Sequence, residues 1–294
     1  MKDLGTLNPR QVSEQEVAQY RLREAARAIV VDDKGDIALL HVSRDGYHKL
    51  PGGGLDPNED RLIALQRECM EEIGCNIEVI GEVGFTTECW REDEEKQISY
   101  CYLAKVVGPK GVATLTESEK ERGFETVWLP FQDAVNALQN RTSTHWEGDY
   151  IVPRELFFFE GVKDSFPMKK ALLLPMNTKG EIFLQDRRGH KKPDWGFFGG
   201  GIEEGETPLQ ALIRESEEEL CIHLTEADVR YVGISVTNWD GSLNIRHMYT
   251  YPTDQAEFDV REGVGGSWMT LEEAKKCMDP KDRLDEVFRL PQIL

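Results

Sequence analysis

Several features are absent from this 294-residue chain, and each absence excludes a class of protein. No apolar run approaches the ~20 residues of a membrane-spanning helix, so we expect no membrane partner. The six cysteines form no CxxC pair, and no Cys/His cluster has the spacing of a zinc site. The polar, acidic N-terminal stretch lacks the basic-then-apolar order of a secretory signal. Together these absences favour a cytoplasmic protein with reduced thiols.

Positive charge is also scarce. The 35 Lys and Arg residues face 54 Asp and Glu residues, which gives a net charge of −19. Binding to a phosphate backbone requires a basic surface, so we expect no nucleic-acid partner. A small phosphorylated ligand is compatible with this charge only if a local cation offsets the repulsion.

The chain contains one pattern twice. The segment GGLDPNEDRLIALQRECMEEIGC starts at Gly53, and its counterpart GGIEEGETPLQALIRESEEELCI starts at Gly200. Before each copy, two strand-like runs flank a Lys-Gly turn. After it come paired β-type runs, a short strand ending near a Trp, and a helical pattern. The sequence therefore predicts two units that share one order of elements.

The repeat also suggests domain boundaries. We expect the first unit over residues 22–162, the second over residues 166–294, and a helical or loose N-terminal extension over residues 1–21. The junction falls in DYIVPRELFFFEGVKDSFP, whose apolar content predicts a packed segment rather than a free linker.

Both copies place three glutamates at positions i, i+3 and i+4, which share one face of a helix. The opposite face is apolar, and a glycine turn that allows close backbone approach precedes the helix. Glutamate clusters on helices are usually solvated faces. However, the full pattern G-x5-E-x7-R-E-x-x-E-E-x-G has a chance frequency of ~10⁻⁸ per window. Such carboxylates suit a hard divalent cation, Mg²⁺ or Mn²⁺.

These segments resemble the Nudix box of the Nudix hydrolase superfamily, G-x5-E-x7-R-E-U-x-E-E-x-G-U, where U is apolar. Residues 53–75 match it at every named side chain. Residues 200–222 depart twice, because Ser216 replaces the first U residue and Cys221 replaces the final glycine. The resemblance implies an α/β fold class, with two tandem Nudix-type α/β/α sandwich domains that contain mixed β-sheets.

The resemblance also implies an activity. Nudix enzymes use metal held by the box glutamates to cleave a nucleoside diphosphate linked to another moiety X. Examples are ADP-ribose, nucleoside triphosphates and dinucleoside polyphosphates. The implied catalytic residues and metal ligands are Glu68, Glu71, Glu72, Glu215, Glu218 and Glu219. The residues implied to shape the motif are Gly53, Glu59, Arg67, Gly74, Gly200, Glu206 and Arg214.

Two further sets of candidates are less specific. Family members often recruit an additional acid from a loop before the last strand, and the candidates here are Glu119, Glu121, Glu257 and Glu262. Candidates for substrate binding are Arg44 and Arg187, which precede the glycine turns and could contact phosphates, and Trp90 and Trp195, which lie near predicted site-facing ends and could stack on a base. For any single member, a solvated charge or a core aromatic is the more common alternative.

Alternative functions stay open. The chain is either a hydrolase of small nucleotides or a nucleotide-binding sensor in which one or both sites do not hydrolyse. Hydrolysis of RNA caps is disfavoured by the negative charge. The tandem arrangement also raises the hypothesis of an intramolecular pseudo-dimer, or of a homodimer of whole chains.

Overall fold

A computed structural model describes residues 1–32, 34–142, 145–166, 170–189, 194–203, 205–239 and 242–278. The chain divides into two compact units, Met1–Asp164 and Ser165–Leu294. Within the described ranges, no helix is both long enough and apolar enough to cross a membrane.

The first unit contains a mixed β-sheet. Its strand order is β1-β6-β7-β2-β3-β4, while β5 pairs with β2 and β8 pairs with β3. Strands β2 and β7 are parallel, whereas β6 and β7 are antiparallel. The strands are β1 Asp3–Leu7, β2 Arg21–Val31, β3 Ile37–Val42, β4 Tyr47–Lys49, β5 Gly52–Gly54, β6 Asn76–Trp90, β7 Glu95–Val107 and β8 Phe124–Leu129.

Helices cover this sheet. Helix α2 buries Leu65, Cys69 and Ile73, which is the apolar face that the sequence pattern predicts. Helix α5 buries Phe158 and Phe159, so the segment before the second unit is packed. The helices are α1 Glu14–Val17, α2 Arg61–Ile73, α3 Glu117–Glu121, α4 Phe131–Gln139 and α5 Gly148–Val162, followed by a 3₁₀ turn at Lys163–Ser165.

Strand β1 was not expected from the sequence. Residues 3–7 pair in parallel with β6, with Asp3 opposite Phe85 and Leu7 opposite Glu88. The stretch DLGTL is short and carries little alternation, so its strand conformation depends on hydrogen bonds to a distant strand rather than on local preference. The N-terminal segment is therefore not simply helical or loose.

The second unit repeats the plan with its own mixed sheet. Its strands run β11-β10-β9-β14-β13, while β12 pairs with β9 and β15 pairs with β10. The expected α/β fold class, with two units that each contain a mixed sheet, is confirmed. The elements are β9 Lys170–Met176, β10 Ile182–Asp186, β11 Trp195–Gly196, β12 Phe198–Gly201, α6 Pro208–Leu220, β13 Arg230–Trp239, β14 Ser242–Pro252, β15 Gly265–Met269 and α7 Leu271–Cys277.

Helices α2 and α6 end in the same way despite different residues. Gly74 ends α2 in the left-handed region, with φ 64°. Cys221 ends α6 with φ 52°, which is unusual for a residue with a side chain. The left-handed conformation costs a non-glycine residue about 1–2 kcal/mol. The missing glycine of the second copy therefore affects local strain, while the helix end keeps its geometry.

Candidate active sites in the two units

The last glutamate of the first cluster is fixed against the glycine turn. Glu72 is only 1% exposed. Its carboxylate accepts a hydrogen bond from the Gly52 amide at 2.6 Å and another from Lys49 Nζ at 2.9 Å. Burial raises the pKa of Glu72, while Lys49 opposes that shift. One carboxylate is thus held at the junction of helix and turn, with an ammonium group beside it.

An arginine ties the start of the box to the helix. Arg67 donates from Nε and Nη2 to the two carboxylate oxygens of Glu59, both at 3.0 Å. Its Nη1 donates to Glu68 Oε1 at 2.8 Å, and Nη2 reaches the Gly54 carbonyl at 3.3 Å. The hydrogen bonds from Arg67 lower the pKa of Glu59. This fork geometry orients Glu68 as well as the loop.

The second unit reproduces both contacts. The Gly199 amide donates to Glu219 Oε2 at 2.7 Å. Arg214 donates to the two oxygens of Glu206 at 2.9 and 3.0 Å, and to Glu215 at 2.9 Å. The hydrogen bond from Arg214 lowers the pKa of Glu206 to about 2. Each unit therefore builds the same arrangement within itself, although the two sequences differ.

Two glycines make room for the carboxylates. A Cβ on Gly53 would lie 2.3 Å from Glu68 Oε1, and a Cβ on Gly200 would lie 2.4 Å from Glu215 Oε1. Real Cβ atoms essentially never approach other atoms within 3.0 Å. The glycine at this position of the motif therefore has a direct steric reason in each unit.

The glutamate clusters differ in the charge beside them. Lys49 stands three positions before Gly52, and the corresponding position before Gly199 is Gly196, which has no side chain. In the second unit a hydrogen bond joins the Glu219 side chain to Glu262 instead. Burial and this contact raise the pKa of Glu219 to about 8. The first cluster thus contains a cation, and the second contains an additional acid.

Of the candidate additional acids, Glu262 lies at the second cluster and Glu119 near the first. A cavity of about 300 Å³ is lined by Glu68, Glu72 and Glu119. The Glu119 carboxylate also caps α3, because it accepts from the Thr116 amide at 2.7 Å and from the Thr116 hydroxyl at 2.8 Å.

The middle glutamate of each cluster is more exposed to solvent than its two neighbours in the cluster. Glu71 and Glu218, the middle members of the clusters, have side chains that are 42% and 59% exposed. Glu121 and Glu257 are exposed and show no contact with either cluster in the described part of the chain. The structure therefore separates the four loop candidates into two near a cluster and two away from one.

The substrate-binding candidates of the first unit have structural partners. Trp90 is buried, its Nε1 donates to Glu88 at 3.2 Å, and its ring stacks on Tyr150 with centroids 4.4 Å apart. One part of Trp90 nevertheless lines a cavity of about 150 Å³. Arg44 pairs with Asp45 at 3.1 Å and lines neither described cavity.

In the second unit the corresponding candidates contact each other. Arg187 Nη2 donates to the Trp195 carbonyl at 2.9 Å. The guanidinium of Arg188 lies 5.5 Å from the centre of the Trp195 ring. Arg187 thus supports the short strand β11, while Trp195 presents its ring to a neighbouring cation.

Sequence reasoning missed a set of basic residues in the first unit. They lie on separated elements and line the 150 Å³ cavity, which no sequence spacing reveals. One signal was available, because Arg27 interrupts the otherwise apolar run of β2. Burial, together with repulsion from Arg154, lowers the pKa of Arg27 to about 10. The missed residues are Arg23, Arg27, Arg122 and Arg154.

The glutamate clusters fit a divalent cation by their chemistry. They offer only carboxylate oxygens, the ligands that Mg²⁺ and Mn²⁺ prefer. A second group of potential donor atoms, from Asp45, His145 and Glu147, lies within 4.8 Å of one another. Arg122 already pairs with both acids of that group. Arg67 and Lys49 likewise pair with Glu68 and Glu72, so the preference for the box glutamates rests on their all-carboxylate donor set.

Comparison with known families agrees with this geometry. The family model described as NUDIX domain matches residues 21–151 and again residues 167–288. The chain belongs to the NUDIX family. The resemblance inferred from the two boxes, including the tandem arrangement, is thereby confirmed.

The curated relatives match a smaller part of the chain than the family model does. RNA pyrophosphohydrolase of Psychrobacter cryohalolentis is 38% identical over 66 residues, which is 22% of this chain and 36% of the relative. RNA pyrophosphohydrolase of Vibrio atlanticus is 46% identical over 59 residues, which is 20% of this chain and 32% of the relative. The chain thus spans about a third of the length of the curated relatives it matches.

Solved structures of similar chains include the MutT protein from Methanosarcina mazei Go1. It is 20% identical, has a TM-score of 0.37, and matches over 50% of this chain and 98% of that chain. The E. coli dihydroneopterin triphosphate pyrophosphohydrolase is 18% identical, with a TM-score of 0.35 over 40% of this chain and 92% of that one.

Proposed function

We propose that this protein is a metal-dependent hydrolase that cleaves the phosphoanhydride bond of a nucleoside diphosphate linked to another moiety X. One observation carries the proposal. In both units a buried glutamate is fixed by a glycine amide, while a second glutamate is oriented by an arginine that also grips the loop. Membership in the NUDIX family supports the same chemistry.

The residues that would hold the metal are the box glutamates, and in the second unit Glu262 lies beside them. Glu219 and Glu262 share a hydrogen bond, and two adjacent carboxyl groups need a proton or a cation between them. A bound Mg²⁺ or Mn²⁺ supplies positive charge that polarises phosphorus and lowers the pKa of the attacking water. The ligands proposed are Glu68, Glu71 and Glu72, and Glu215, Glu218 and Glu219.

The chain's own groups position the reaction. The amides of Gly52 and Gly199 keep the buried carboxylates in place, and Arg67 and Arg214 keep the neighbouring ones aligned. The water oxygen forms a bond to phosphorus while the bridging P–O bond breaks and the leaving phosphate takes its electron pair. In the second unit, Glu262 is the carboxylate proposed to accept the proton of that water.

The test separates the two units. Glu72→Gln, Glu219→Gln and the double variant are assayed with Mg²⁺ on ADP-ribose, nucleoside triphosphates and dinucleoside polyphosphates, with products resolved by chromatography. We expect each single change to lower the activity of its unit by about 10²-fold or more, because a ligand of the metal is lost. Exposed Glu160→Gln and Glu272→Gln serve as matched controls. Unchanged turnover in the double variant would exclude the proposed chemistry.

One observation favours the sensor alternative for the first unit. Lys49 already neutralises Glu72, so this cluster has less need of a metal than the second one. A sensor binds nucleotide without forming product. Calorimetry with ADP-ribose, followed by product analysis after long incubation of the Glu219→Gln variant, distinguishes the two activities of the first unit.

The relatives' name adds RNA to the substrate panel. A net charge of −19 opposes long RNA backbones, so we propose a small nucleotide as the substrate. An assay with a 5′-triphosphorylated oligonucleotide compares the two directly. Turnover of that RNA above the rate for every small nucleotide would contradict this choice.

A further inference from the structure

In the first unit, a cavity that contains box glutamates adjoins a second cavity, which we call the basic recess. The outer cavity, of about 300 Å³, contains Glu68 and Glu72. The inner one, of about 150 Å³, is the basic recess. The residues that line both are Arg23, Arg27, Lys49, Arg122 and Phe124.

Arg27 is the unusual member of this recess. It is 6% exposed, and its Nη1 donates to the Gly52 carbonyl. It forms no ion pair with a carboxylate among the described residues, and its buried Nε has no hydrogen-bond partner there. Glu155, Glu72 and Glu88 attract Arg27 through longer-range electrostatics, so this buried cation lacks only a directly paired carboxylate among the described residues. An anion that enters the recess would supply that direct partner.

The other cations of the recess have carboxylate partners. Arg154 pairs with Glu88 at 3.1 Å and with Glu155 at 2.6 Å. Arg122 pairs with Asp45 and Glu147, and Arg23 lies 3.5 Å from Glu95. Among these arginines of the recess, Arg27 is therefore the one without a directly paired carboxylate in the described part of the chain.

Three acids line the recess and act against an anion there: Glu95 and Glu147, which pair with Arg23 and Arg122, and Asp93. Asp93 lines the recess from an exposed position, and burial followed by the neighbouring carboxylates raises its pKa. Because it is exposed, water screens its charge more effectively than the charge of a buried residue.

The second unit does not repeat this feature. Arg27 pairs in register with the turn glycine Gly52, and Leu172 holds the same register opposite Gly199. Gly196 stands where the first unit has Lys49. The two positive charges nearest the first glutamate cluster thus have no equivalents at these positions of the second unit.

We propose that the basic recess is an anion subsite, and that the substrate of the first unit carries a phosphate beyond the two phosphates of the scissile bond. This inference rests on the proposed function, because the glutamates next to the recess are the groups assigned to the scissile diphosphate. The first unit therefore prefers a nucleoside triphosphate or a dinucleoside polyphosphate to ADP-ribose.

The first test measures anion binding without catalysis. Inorganic phosphate is titrated into the full chain in EDTA and followed by ³¹P NMR, which does not depend on metal or turnover. Arg27→Leu copies the residue of the second unit and should weaken binding by about 10- to 100-fold, as expected for loss of a charged hydrogen bond. Arg23→Gln, at the accessible edge, should weaken it by a few-fold.

Lys163→Met is the matched control, since it removes one exposed positive charge of the same unit outside both cavities. It should bind phosphate like the wild type. Circular dichroism confirms the fold of each variant, and Arg23→Gln keeps the test valid if Arg27→Leu fails to fold. Wild-type phosphate affinity in folded Arg27→Leu and Arg23→Gln, or no saturable binding by the wild type, would overturn the proposal.

The second test measures substrate preference in the Glu219→Gln background, where the second unit is silenced. The ratio of kcat/KM for a nucleoside triphosphate to that for ADP-ribose should fall about 10-fold or more in Arg27→Leu. An unchanged ratio with normal turnover would refute the anion subsite and leave the proposed function standing. Absence of any turnover, with phosphate binding intact, would refute the proposed function and leave the subsite standing.

Discussion

Replacing Gly53 with alanine should move one carboxylate and leave the fold intact. The new Cβ would lie 2.3 Å from Glu68 Oε1, so that atom must retreat to at least 3.0 Å. The required displacement is about 0.7–1 Å, and a misplacement of about 1 Å in a catalytic group costs on the order of 10²-fold in rate. Gly53 is not in the left-handed region, so alanine is compatible with its backbone. The atom that moves ends a flexible side chain, so the free energy of unfolding should change by less than about 1 kcal/mol.

The assay uses the Glu219→Gln background, so that only the first unit contributes turnover. Manganese binding, followed by the EPR signal of free Mn²⁺, gives a second readout that does not require a known substrate. Gly200→Ala in the Glu72→Gln background is the mirror experiment, because its Cβ would lie 2.4 Å from Glu215 Oε1. Normal kcat and normal Mn²⁺ affinity in Gly53→Ala would refute a metal-binding role for Glu68.

A neighbouring glycine provides the contrast. Gly52 has φ +126°, and a Cβ there would lie 2.2 Å from the Ala26 carbonyl oxygen, a backbone atom. Gly52→Ala should therefore lower the stability of the fold, whereas Gly53→Ala should not. Urea unfolding of the two variants separates a displaced carboxylate from a damaged strand.

Three further predictions concern stability. Cys221→Gly should stabilise the chain by about 0.5–1 kcal/mol in urea unfolding, because glycine relieves the left-handed strain at the end of α6; unchanged stability would argue against that strain. Gly74→Ala should destabilise it by about 2 kcal/mol or more, since its Cβ would lie 2.7 Å from the Gly111 backbone; a neutral result would show that this loop yields. Burial lowers the pKa of His247 to about 4 from 6.5, so the unfolded chain binds more protons between these values and stability is lost as the pH falls through them. His247→Gln should remove about 3 kcal/mol of that dependence in urea titrations from pH 4 to 7, and an unchanged pH profile would contradict the assignment.

The sequence revealed what is encoded locally. The box helix, its apolar face and the shared face of its glutamates all follow from intervals of three and four residues. The run of glycines identified the turn, whereas the arginine and the acid that it contacts were expected only from the resemblance to the Nudix box. These features appear in both units because each depends on residues that are close in the chain.

What the sequence did not reveal depends on distant contacts. Nothing in the loop between β14 and β15 distinguishes Glu262 from Glu257, because their difference is the approach of one of them to Glu219. Strand β1 depends on pairing with β6, and the basic recess depends on five strands and α5 meeting at one place. Such juxtapositions are set by the packed fold, which no spacing within one segment specifies.

The two units illustrate how one motif supports different electrostatics. Their carboxylates, glycine amides and clamping arginines have the same contacts, yet Lys49 accompanies one cluster and Glu262 the other. A cation that binds the first cluster competes with an ammonium group 2.9 Å from Glu72, whereas a cation in the second relieves repulsion between two acids. Lys49 beside the first cluster is positive, whereas Glu262 beside the second is an acid. We therefore expect the two sites to differ in substrate preference. One substrate screened on the whole chain would therefore report on only one of the two units.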